Sequence, residues 1–392
     1  MSSSGNPLTS IEICAGAGGQ ALGLHAAGFR HLALLEIDKH ACATLRFNVA
    51  NHPDWSGCEV VEGDLKEVHP FKHPQLEKFG LEPGDLDLLA GGVPCPPFSV
   101  AGKQLGEDDE RDLFPSMLEL VSQLRPKAVM IENVRGILDA KFEDYRHRIV
   151  AEIESFGYGF CGWRLVEARS YGVPQLRPRA ILVMVDRKYL KGAQFQWPVG
   201  DETVLTVAEA LKETMWERCE AHGPEGRAVF DKWLAAATRH GGEAPTLVGG
   251  SKKHGGADLG PSRAKKAWRE LGVDPMGVAN DPEDCAPQRD LFRSDGPMLT
   301  VEQAAIIQGF PRHWNFQGRK TARYRQVGNA FPPPVAEALG RAIAAVLRPG
   351  TGRNSPLDHA PKRVGLLPTA RQEAEPALVG QVSFDDLEAA GV

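Results

Sequence analysis

The chain of 392 residues is 42% hydrophobic and 24% charged, which is typical of a soluble globular enzyme and leaves room for two domains. No apolar run approaches the roughly 20 residues of a membrane span, and the N-terminus has no secretion signal, so we expect a cytoplasmic protein without membrane contact. Seven scattered cysteines form no disulfide or zinc pattern, and the net charge of −6 disfavours nucleic-acid binding unless basic residues cluster on one face.

Strand-like and helix-like segments alternate along the first half of the chain. Apolar runs predict strands at residues 9–13, 31–38, 58–63, 86–92, 126–132 and 180–185, and the segment 161–168 is expected to pair beside the last of them. A glycine-rich turn follows the first strand, and helical spacing follows the second. This alternation predicts an α/β fold with a doubly wound, mostly parallel, Rossmann-like sheet.

The alternation stops at about residue 190. The following sequence is rich in glycine, proline and charge, which predicts a smaller inserted domain, and two helical segments come after it. We therefore predict a main domain at 8–190, an inserted domain at 191–297, a return to the main domain at 298–348 and a flexible tail at 349–392.

The turn GAGGQA, at residues 16–21, matches the G-x-G-x-x-G/A pattern that binds dinucleotides, and Glu36 lies at the spacing of the acid that binds the ribose. The glycines admit a ligand close to the backbone, and the helix N-terminus offers N–H groups. Any adenosine cofactor with a ribose fits these groups. The turn by itself leaves open NAD, S-adenosylmethionine and a packing turn that binds nothing.

Residues 91–104, GGVPCPPFSVAGKQ, set one cysteine among three prolines. Proline fixes φ, so Cys95 is held in few conformations, which suits a nucleophile that must meet its target atom at one angle. A turn that merely contains a cysteine is the alternative. The glycine turn, Cys95 and Glu132 all follow the carboxyl ends of predicted strands, where open α/β sheets bind their ligands.

Read in order, the motifs resemble those of the DNA (cytosine-5) methyltransferase family over residues 10–345. EICAGAGG resembles the family's FAGxGG motif, with Cys14 in place of the phenylalanine, and GGVPCPPFS resembles its PCQ-type catalytic motif. The further matches are ENV at 132–134, QLRPR at 175–179 and RQVGNAFPPPVAEALG at 325–340. One departure lies in TVEQAAIIQGFP, where Val301 and Glu302 stand at positions at which the family usually has arginine beside the glutamate.

The resemblance implies S-adenosyl-L-methionine as the cofactor, with S-adenosyl-L-homocysteine as its product. Glu36 matches the acid that binds the ribose, Asp64 the acid near the adenine and Leu113 a residue that packs on the adenine. The residues expected to bind the cofactor are Cys14, Ala15, Gly16, Gly18, Gly19, Glu36, Ile37, Asp64, Leu65, Pro94, Leu113, Asn329 and Ala330. Because the histidines lack metal-ligand spacing, no metal is predicted.

The resemblance also implies covalent catalysis. Cytosine C5 is a poor nucleophile, so the thiolate of Cys95 is expected to add to C6 and thereby make C5 nucleophilic. Glu132 is expected at N3 and Arg179 at O2, where negative charge builds. Arg177 is expected to support a phosphate or Glu132. The sequence does not identify the base that removes the C5 proton.

A base inside a duplex cannot be reached at C6, so the target must be flipped out of the helix. The resemblance implies that the segment 99–106 closes on the DNA, and the basic stretch at 251–270 is expected to contact phosphates and bases. The residues predicted to bind DNA are Ser99, Gly102, Lys103, Gln104, Lys252, Lys253, Arg263, Lys265 and Lys266.

These inferences predict a bacterial, sequence-specific DNA methyltransferase that acts as a monomer on duplex DNA, alone or beside a restriction endonuclease that recognises the same site. An RNA (tRNA) cytosine-5 methyltransferase on the same fold is an alternative, although the long inserted region disfavours it. A DNA-binding relative without catalysis is disfavoured by the complete set of Cys95, Glu132 and Arg179. An NAD-dependent oxidoreductase would leave Cys95 without a role.

Overall fold

The strands of the chain assemble into a mixed sheet. The structure, a computed structural model, describes residues 6–94, 112–201, 204–239, 242–249 and 258–349, which lie within one compact unit, Met1–Pro361. The strands are β1 (Leu8–Ile13), β2 (Phe29–Glu36), β3 (Glu59–Glu62), β4 (Leu88–Gly92), β5 (Ala128–Val134), β6 (Tyr158–Glu167) and β7 (Pro178–Asp186).

The strand order is β3-β2-β1-β4-β5-β7-β6. Strands β1 to β5 run parallel to their neighbours in that series, whereas β7 is antiparallel to both β5 and β6. The predicted α/β, mostly parallel sheet is confirmed, as is the pairing of the segment 161–168 beside 180–185, where Trp163 faces Leu182. The chain turns outward from β1 through β3 and then returns to β4, so a topological switch point lies between β1 and β4.

Helices connect the parallel strands and extend the chain beyond the sheet. Those of the described residues are α1 (Gly19–Ala26), α2 (Lys39–Asn51), α3 (Pro74–Glu77), α4 (Phe114–Leu124), α5 (Glu143–Ser155), α6 (Arg187–Leu190), α7 (Val207–Glu220), α8 (Gly223–Arg239), α9 (Ser262–Glu270), α10 (Pro287–Asp290), α11 (Val301–Ile307), α12 (Lys320–Asn329) and α13 (Pro333–Leu347). Helix α1 packs along α13, and α4 packs along α5.

Neighbouring residues of the central strands point to opposite faces, so the sheet has two cores. On one face, Leu88 of β4 and Met130 of β5 pack in a cluster with Leu339 of α13. On the other face, Leu89 of β4 packs in a cluster with Met117 of α4. Burial on both faces explains why these strands appear in the sequence as continuous apolar runs.

The inserted region is more helical than its composition predicts. Within this region, helices α7 and α8 together account for nearly all residues from 207 to 239. Thr206 and Glu209 form a capping box at the start of α7. Leu211 of α7 and Trp233 of α8 are buried in a core that also contains Val327 of α12. These helices escaped prediction because glycine, proline and charge in the neighbouring segments dominate the composition of the region.

The domain boundaries at 190, 297 and 348 stay predictions. The predicted tail lies outside the described residues from position 350 onward. Within the ranges that the structure describes, no helix combines the length and the apolar character needed to cross a membrane.

Candidate active site

A cavity of about 380 Å³ opens at the carboxyl ends of β1, β2 and β4, and one face of α12 forms part of its wall. This is the switch point of the sheet, where α/β folds of this kind bind ligands. Ten predicted cofactor residues line it: Cys14, Gly16, Glu36, Ile37, Asp64, Leu65, Pro94, Leu113, Asn329 and Ala330. The wall also contains residues that the sequence analysis missed: Ala17, Leu35, Asp38, Ala41, Gly63, Gly92, Ala322, Arg325 and Gln326.

The carboxylate of Glu36 is held at this wall by backbone N–H groups. Its Oε2 accepts a hydrogen bond from Gly16 at 2.7 Å, and its Oε1 accepts from Ile37 and Asp38 at 2.9 and 2.8 Å. Gly16 has a φ of +55°, a left-handed conformation that glycine adopts without strain, and a Cβ there would meet no atom within 4 Å. The carboxylate is thus oriented, and it keeps further lone pairs for hydroxyl donors.

Gly18 and Gly19 allow close packing and do not line the cavity. A Cβ on Gly18 would lie 2.8 Å from the ring of Trp314, and one on Gly19 would lie 2.2 Å from the carbonyl oxygen of Phe331. Ala15 is buried and is also absent from the wall. The structure therefore assigns the ligand-facing part of this motif to its first glycine, and helix packing to the later two.

Cys14 and Ile37 give the wall two uncharged surfaces. Cys14 has a φ of +50°, an uncommon conformation for a residue with a side chain. Burial, together with the nearby Glu36 and Asp64, raises the pKa of its thiol to about 12, so the thiol stays neutral. The side chain of Ile37 is apolar and yet 65% exposed. A neutral thiol and an exposed isoleucine suit contact with a flat, uncharged ring.

Arg325 of α12 brings positive charge to a wall whose other charged members are Glu36, Asp38 and Asp64. The Nε of Arg325 is buried and has no hydrogen-bond partner within the described residues. The sequence contained a signal for it, because Arg325 begins the RQVGN motif four positions before Asn329 and so lies on the same helix face.

Glu132 and Arg179 form an ion pair beside the end of β4. The Nε of Arg179 lies 2.7 Å from Oε1 of Glu132, and the two side chains are 13% and 15% exposed. A Cβ on Gly92 would lie 3.0 Å from Oε2 of Glu132. The carboxylate is therefore packed against the strand end that leads into Cys95, and both members of the pair keep some access to solvent.

Arg177 is 1% exposed, so its guanidinium does not reach a DNA phosphate. It donates hydrogen bonds to the carbonyl oxygens of Leu247, Gly328 and Ala330 at 2.7, 2.8 and 3.0 Å. Burial lowers its pKa. No hydrogen bond among the described residues joins it to Glu132, and its contacts instead connect the QLRPR segment to the end of α12.

Gln175 extends this buried network. Its Nε2 donates to Oε1 of Gln308 at 2.6 Å, and its Oε1 accepts from the N–H of Leu247 at 2.8 Å. Gln308, just after α11, donates in turn to the carbonyl oxygen of Ala330. These hydrogen bonds connect the QLRPR segment to the segment after α11, and that segment to Ala330 in the cavity wall.

The departure at Val301 and Glu302 is accompanied by contacts from other arginines. Arg218 of α7 is buried and donates to Oε1 of Gln303 in α11 at 2.6 Å. The Nε of Arg312 lies 2.9 Å from Oε1 of Glu302. Helix α11 is therefore tied to the inserted region by a cation on α7.

The basic stretch ends in α9, which is anchored by the buried Trp268. Arg263 and Lys266 are exposed on this helix and form no ion pair with another described residue. Lys265 differs, because its Nζ lies 2.8 Å from Oδ2 of Asp258. Of the described basic residues predicted to bind DNA, two are therefore available and one is already neutralised.

Seven predicted site residues lie outside the described residues, and their roles stay predictions. They are Cys95, Ser99, Gly102, Lys103, Gln104, Lys252 and Lys253. Pro94 and Leu113, which stand close before and after the first of these segments, both line the cavity.

The sequence is similar to those of known DNA methyltransferases. A family model of C-5 cytosine-specific DNA methylases matches residues 8–345. The Type II methyltransferase M.NaeI of Lentzea aerocolonigenes is 49% identical over 372 residues, covering 92% of this chain and 83% of its own. M.NgoMIV of Neisseria gonorrhoeae, also a Type II methyltransferase, is 46% identical over 345 residues, covering 87% and 98%.

A solved structure shows the same fold. The Entamoeba histolytica methyltransferase EhMeth superposes with a TM-score of 0.57 at 15% identity, covering 88% of this chain and 100% of its own. With the family model spanning most of the sequence, the resemblance of the motifs is confirmed. The chain belongs to the C-5 cytosine-specific DNA methylases, S-adenosylmethionine-dependent enzymes that methylate C5 of cytosine in DNA.

Proposed function

We propose that this protein methylates C5 of one cytosine within a specific duplex DNA sequence through a covalent bond between Cys95 and C6. The observation that carries the proposal is the ion pair of Glu132 and Arg179, which lies against the end of β4 beside the wall of the cavity. In the sequence, Cys95 comes three positions after Gly92, the last residue of β4. The proposed nucleophile therefore follows the strand end against which the ion pair lies.

The side chains can supply what the cytosine ring needs. The Cys95 thiolate forms a bond to C6, and the electron pair of the C5–C6 double bond becomes available at C5 as charge spreads to N3 and O2. Once it has taken up a proton, Glu132 donates to N3, and the guanidinium of Arg179 donates to O2. When bound in the cavity, S-adenosylmethionine would supply the sulfonium-bound methyl group that C5 takes up, with S-adenosylhomocysteine as the by-product. Loss of the C5 proton to a base then restores the double bond and expels the thiolate.

Arg177 has a positioning role in this proposal. It binds three main-chain carbonyl groups, among them those of Gly328 and Ala330. Arg179 follows it by two residues and faces Val134 across the β5–β7 register. Holding Arg177 inside the protein therefore fixes the start of β7, from which Arg179 reaches Glu132.

Several residues of the cavity wall support S-adenosylmethionine as the cofactor. Glu36, oriented by three N–H groups, accepts hydrogen bonds from the ribose hydroxyls. Ile37 and Leu113 offer apolar surface to the adenine. Arg325 is the cation on a wall of carboxylates, so we assign it to the carboxylate of the methionine part, whose charge it can pair.

DNA contact involves the exposed side of α9. Arg263 and Lys266 are free to pair with phosphates, and each such contact releases condensed counterions. Lys265 is held by Asp258 and contributes less. Base reading and the closing of the segment 99–106 over a flipped cytosine are proposed from the family pattern, since those residues lie outside the described ranges.

We infer a restriction–modification setting from the names of the relatives, which are Type II methyltransferases. The partner would be an endonuclease that recognises the same DNA sequence without contacting this chain. A monomer suffices for a flipped-base mechanism, and the proposed compartment is the bacterial cytosol.

The test is bisulfite sequencing of plasmid DNA from cells that express the full chain, beside cells that express Cys95→Ser. Cytosines protected in one recurring sequence, and unprotected in the variant, are the expected result. Cys161→Ser is the matched control, because Cys161 lies on β6, away from the cavity wall, and should leave protection unchanged.

A second measurement separates the alternatives. Purified protein should form a covalent complex with duplex DNA that carries 5-fluorocytosine in the recognised sequence, and none with fluorinated tRNA. Unprotected plasmid DNA with trapping on tRNA would favour an RNA methyltransferase. Specific DNA binding with no trapping would favour a non-catalytic relative.

A further inference from the structure

Three side chains of the types that bind metal ions lie close together outside the cofactor cavity. His25 lies in the last turn of α1, His52 follows α2, and Asp54 belongs to the short 3₁₀ turn at residues 53–55. One ligand atom from each lies within 4.8 Å of the other two. None of the three lines the cavity, so the methyl-transfer site does not explain their meeting.

Within the described part of the chain, no hydrogen bond or ion pair occupies the side chains of His25, His52 and Asp54. The Nδ1 of His52 is buried and accepts or donates no hydrogen bond. The rings of His25 and His52 are 5.8 Å apart between centroids and are inclined at 73°, so they meet edge to face.

The donor set selects the class of ion. Two imidazole nitrogens and one carboxylate oxygen match the ligands of zinc and neighbouring divalent transition metals. Calcium and magnesium prefer sets made entirely of oxygen. Asp54 is exposed, so water can complete the coordination from the solvent side.

We propose that His25, His52 and Asp54 bind one divalent transition-metal ion, with zinc as the representative, at a site separate from methyl transfer. The ion would join the end of α1 to the connection between α2 and β3. Trp55 lies directly beside the site, 2% exposed, with its ring 5.3 Å from that of His25 and 6.2 Å from that of His52. The site would therefore act as a cross-link over a buried aromatic cluster.

Sequence spacing did not reveal this set because its members belong to two helix ends and a turn. His25 and Asp54 are 29 positions apart, and they come together only because α1 and α2 both pack against β2. The prediction of no metal rested on spacing alone.

The test uses the full untagged chain, stripped with a chelator and titrated with ZnCl₂ in a calorimeter. One equivalent of zinc should bind to the wild type, and that equivalent should be lost in His52→Gln and in His25→Gln. His147→Gln is the control, because His147 is exposed on α5 and lies outside the cluster. Retained affinity for S-adenosylhomocysteine shows that each variant is folded.

Cobalt gives a second readout that excludes the thiols as ligands. The cobalt complex should show ligand-field bands without a thiolate charge-transfer band, and it should quench the fluorescence of Trp55, an effect that Trp55→Phe reduces. A thiolate band, or zinc stoichiometry that is unchanged in both histidine variants, would overturn the proposal. Absence of zinc binding to the wild type would overturn it as well. None of these outcomes depends on methyltransferase activity.

Discussion

The Nε of Arg179 lies 2.7 Å from Oε1 of Glu132, although the two residues come from strands that run in opposite directions. Glu132 is near the end of β5, and Arg179 is near the start of β7, so the antiparallel pairing brings them to the same edge of the sheet. A wholly parallel sheet would separate a strand start from a strand end. Because β7 runs in the opposite direction, it places the cation of Arg179 beside the carboxylate of Glu132, at the edge of the sheet that holds the cavity.

Replacing Glu132 with Gln should reduce methyl transfer by about 10²–10³-fold. The variant keeps the size of the side chain but has no carboxyl group that can take up a proton and donate it to N3. Affinity for S-adenosylhomocysteine should not change, since Glu132 does not line the cavity. Single-turnover methylation of duplex DNA and calorimetric binding measure the two quantities. Glu152→Gln, at an exposed position of α5, is the control. Equal rates for the two variants would contradict the assigned role of Glu132.

Arg177→Met should lower the free energy of unfolding by about 3 kcal/mol or more, because three buried carbonyl groups would be left without their hydrogen-bond donor. Urea denaturation measures the loss. Arg263→Ala, an exposed change on α9, should stay within about 0.5 kcal/mol of the wild type. If Arg177→Met proves as stable as the wild type but inactive, Arg177 acts on the substrate and the positioning role is wrong.

Arg325→Ala should weaken S-adenosylhomocysteine binding by about 10- to 100-fold, the effect of removing a hydrogen-bonded charge from a carboxylate. Affinity for methylthioadenosine, which lacks the amino-acid part, should change little. Comparing the two dissociation constants separates contact with the carboxylate from general damage to the cavity. Arg319→Ala, at the exposed start of the same helix, is the matched control. An equal loss for both ligands would place Arg325 elsewhere in the site.

Alkaline pH should destabilise the protein through its buried thiols. Burial raises the pKa of Cys42 and of Cys58 to about 12, whereas a thiol in the unfolded chain ionises near pH 8.5. The unfolded state therefore loses protons first, and stability falls as pH rises from about 9 towards 12, by up to about 1.4 kcal/mol per pH unit for each thiol.

The measurement is urea denaturation at several pH values between 7 and 11. Cys42→Ala should show a shallower decline with pH than the wild type. Cys285→Ala should keep most of the wild-type decline, because that thiol is only partly buried. A decline of equal steepness in Cys42→Ala and the wild type would show that other groups cause it.

The pair Arg263→Ala and Lys266→Ala, made together, should reduce the slope of log affinity for DNA against log salt by about 1.8, which is 0.9 for each of two phosphate contacts. Lys265→Ala should change it less, because Asp258 already neutralises Lys265. Fluorescence anisotropy at several salt concentrations measures the slope. Lys212→Ala, at an exposed position of α7, is the control. Equal slopes for the double variant and the control would remove α9 from the DNA interface.

Much of the cofactor site could be predicted from the sequence alone. Gly16, Glu36 and Asp64 lie at or just after the ends of strands that are visible as apolar runs, and the carboxyl ends of parallel strands meet at one edge. The role of each glycine in the same motif could not be predicted. Gly18 and Gly19 are recognised as packing positions only when Trp314 and Phe331, about 300 residues further along the chain, are in place.

Local pattern and motif order thus determined the α/β sheet, the family and most of the cavity wall, because backbone periodicity and turn chemistry act over a few residues. Tertiary structure alone decided that Arg177 is internal and that His25 meets His52 and Asp54. Each of these depends on contacts between segments far apart in the chain. Burial and charge pairing arise only when such segments meet, so composition and spacing carry no record of them.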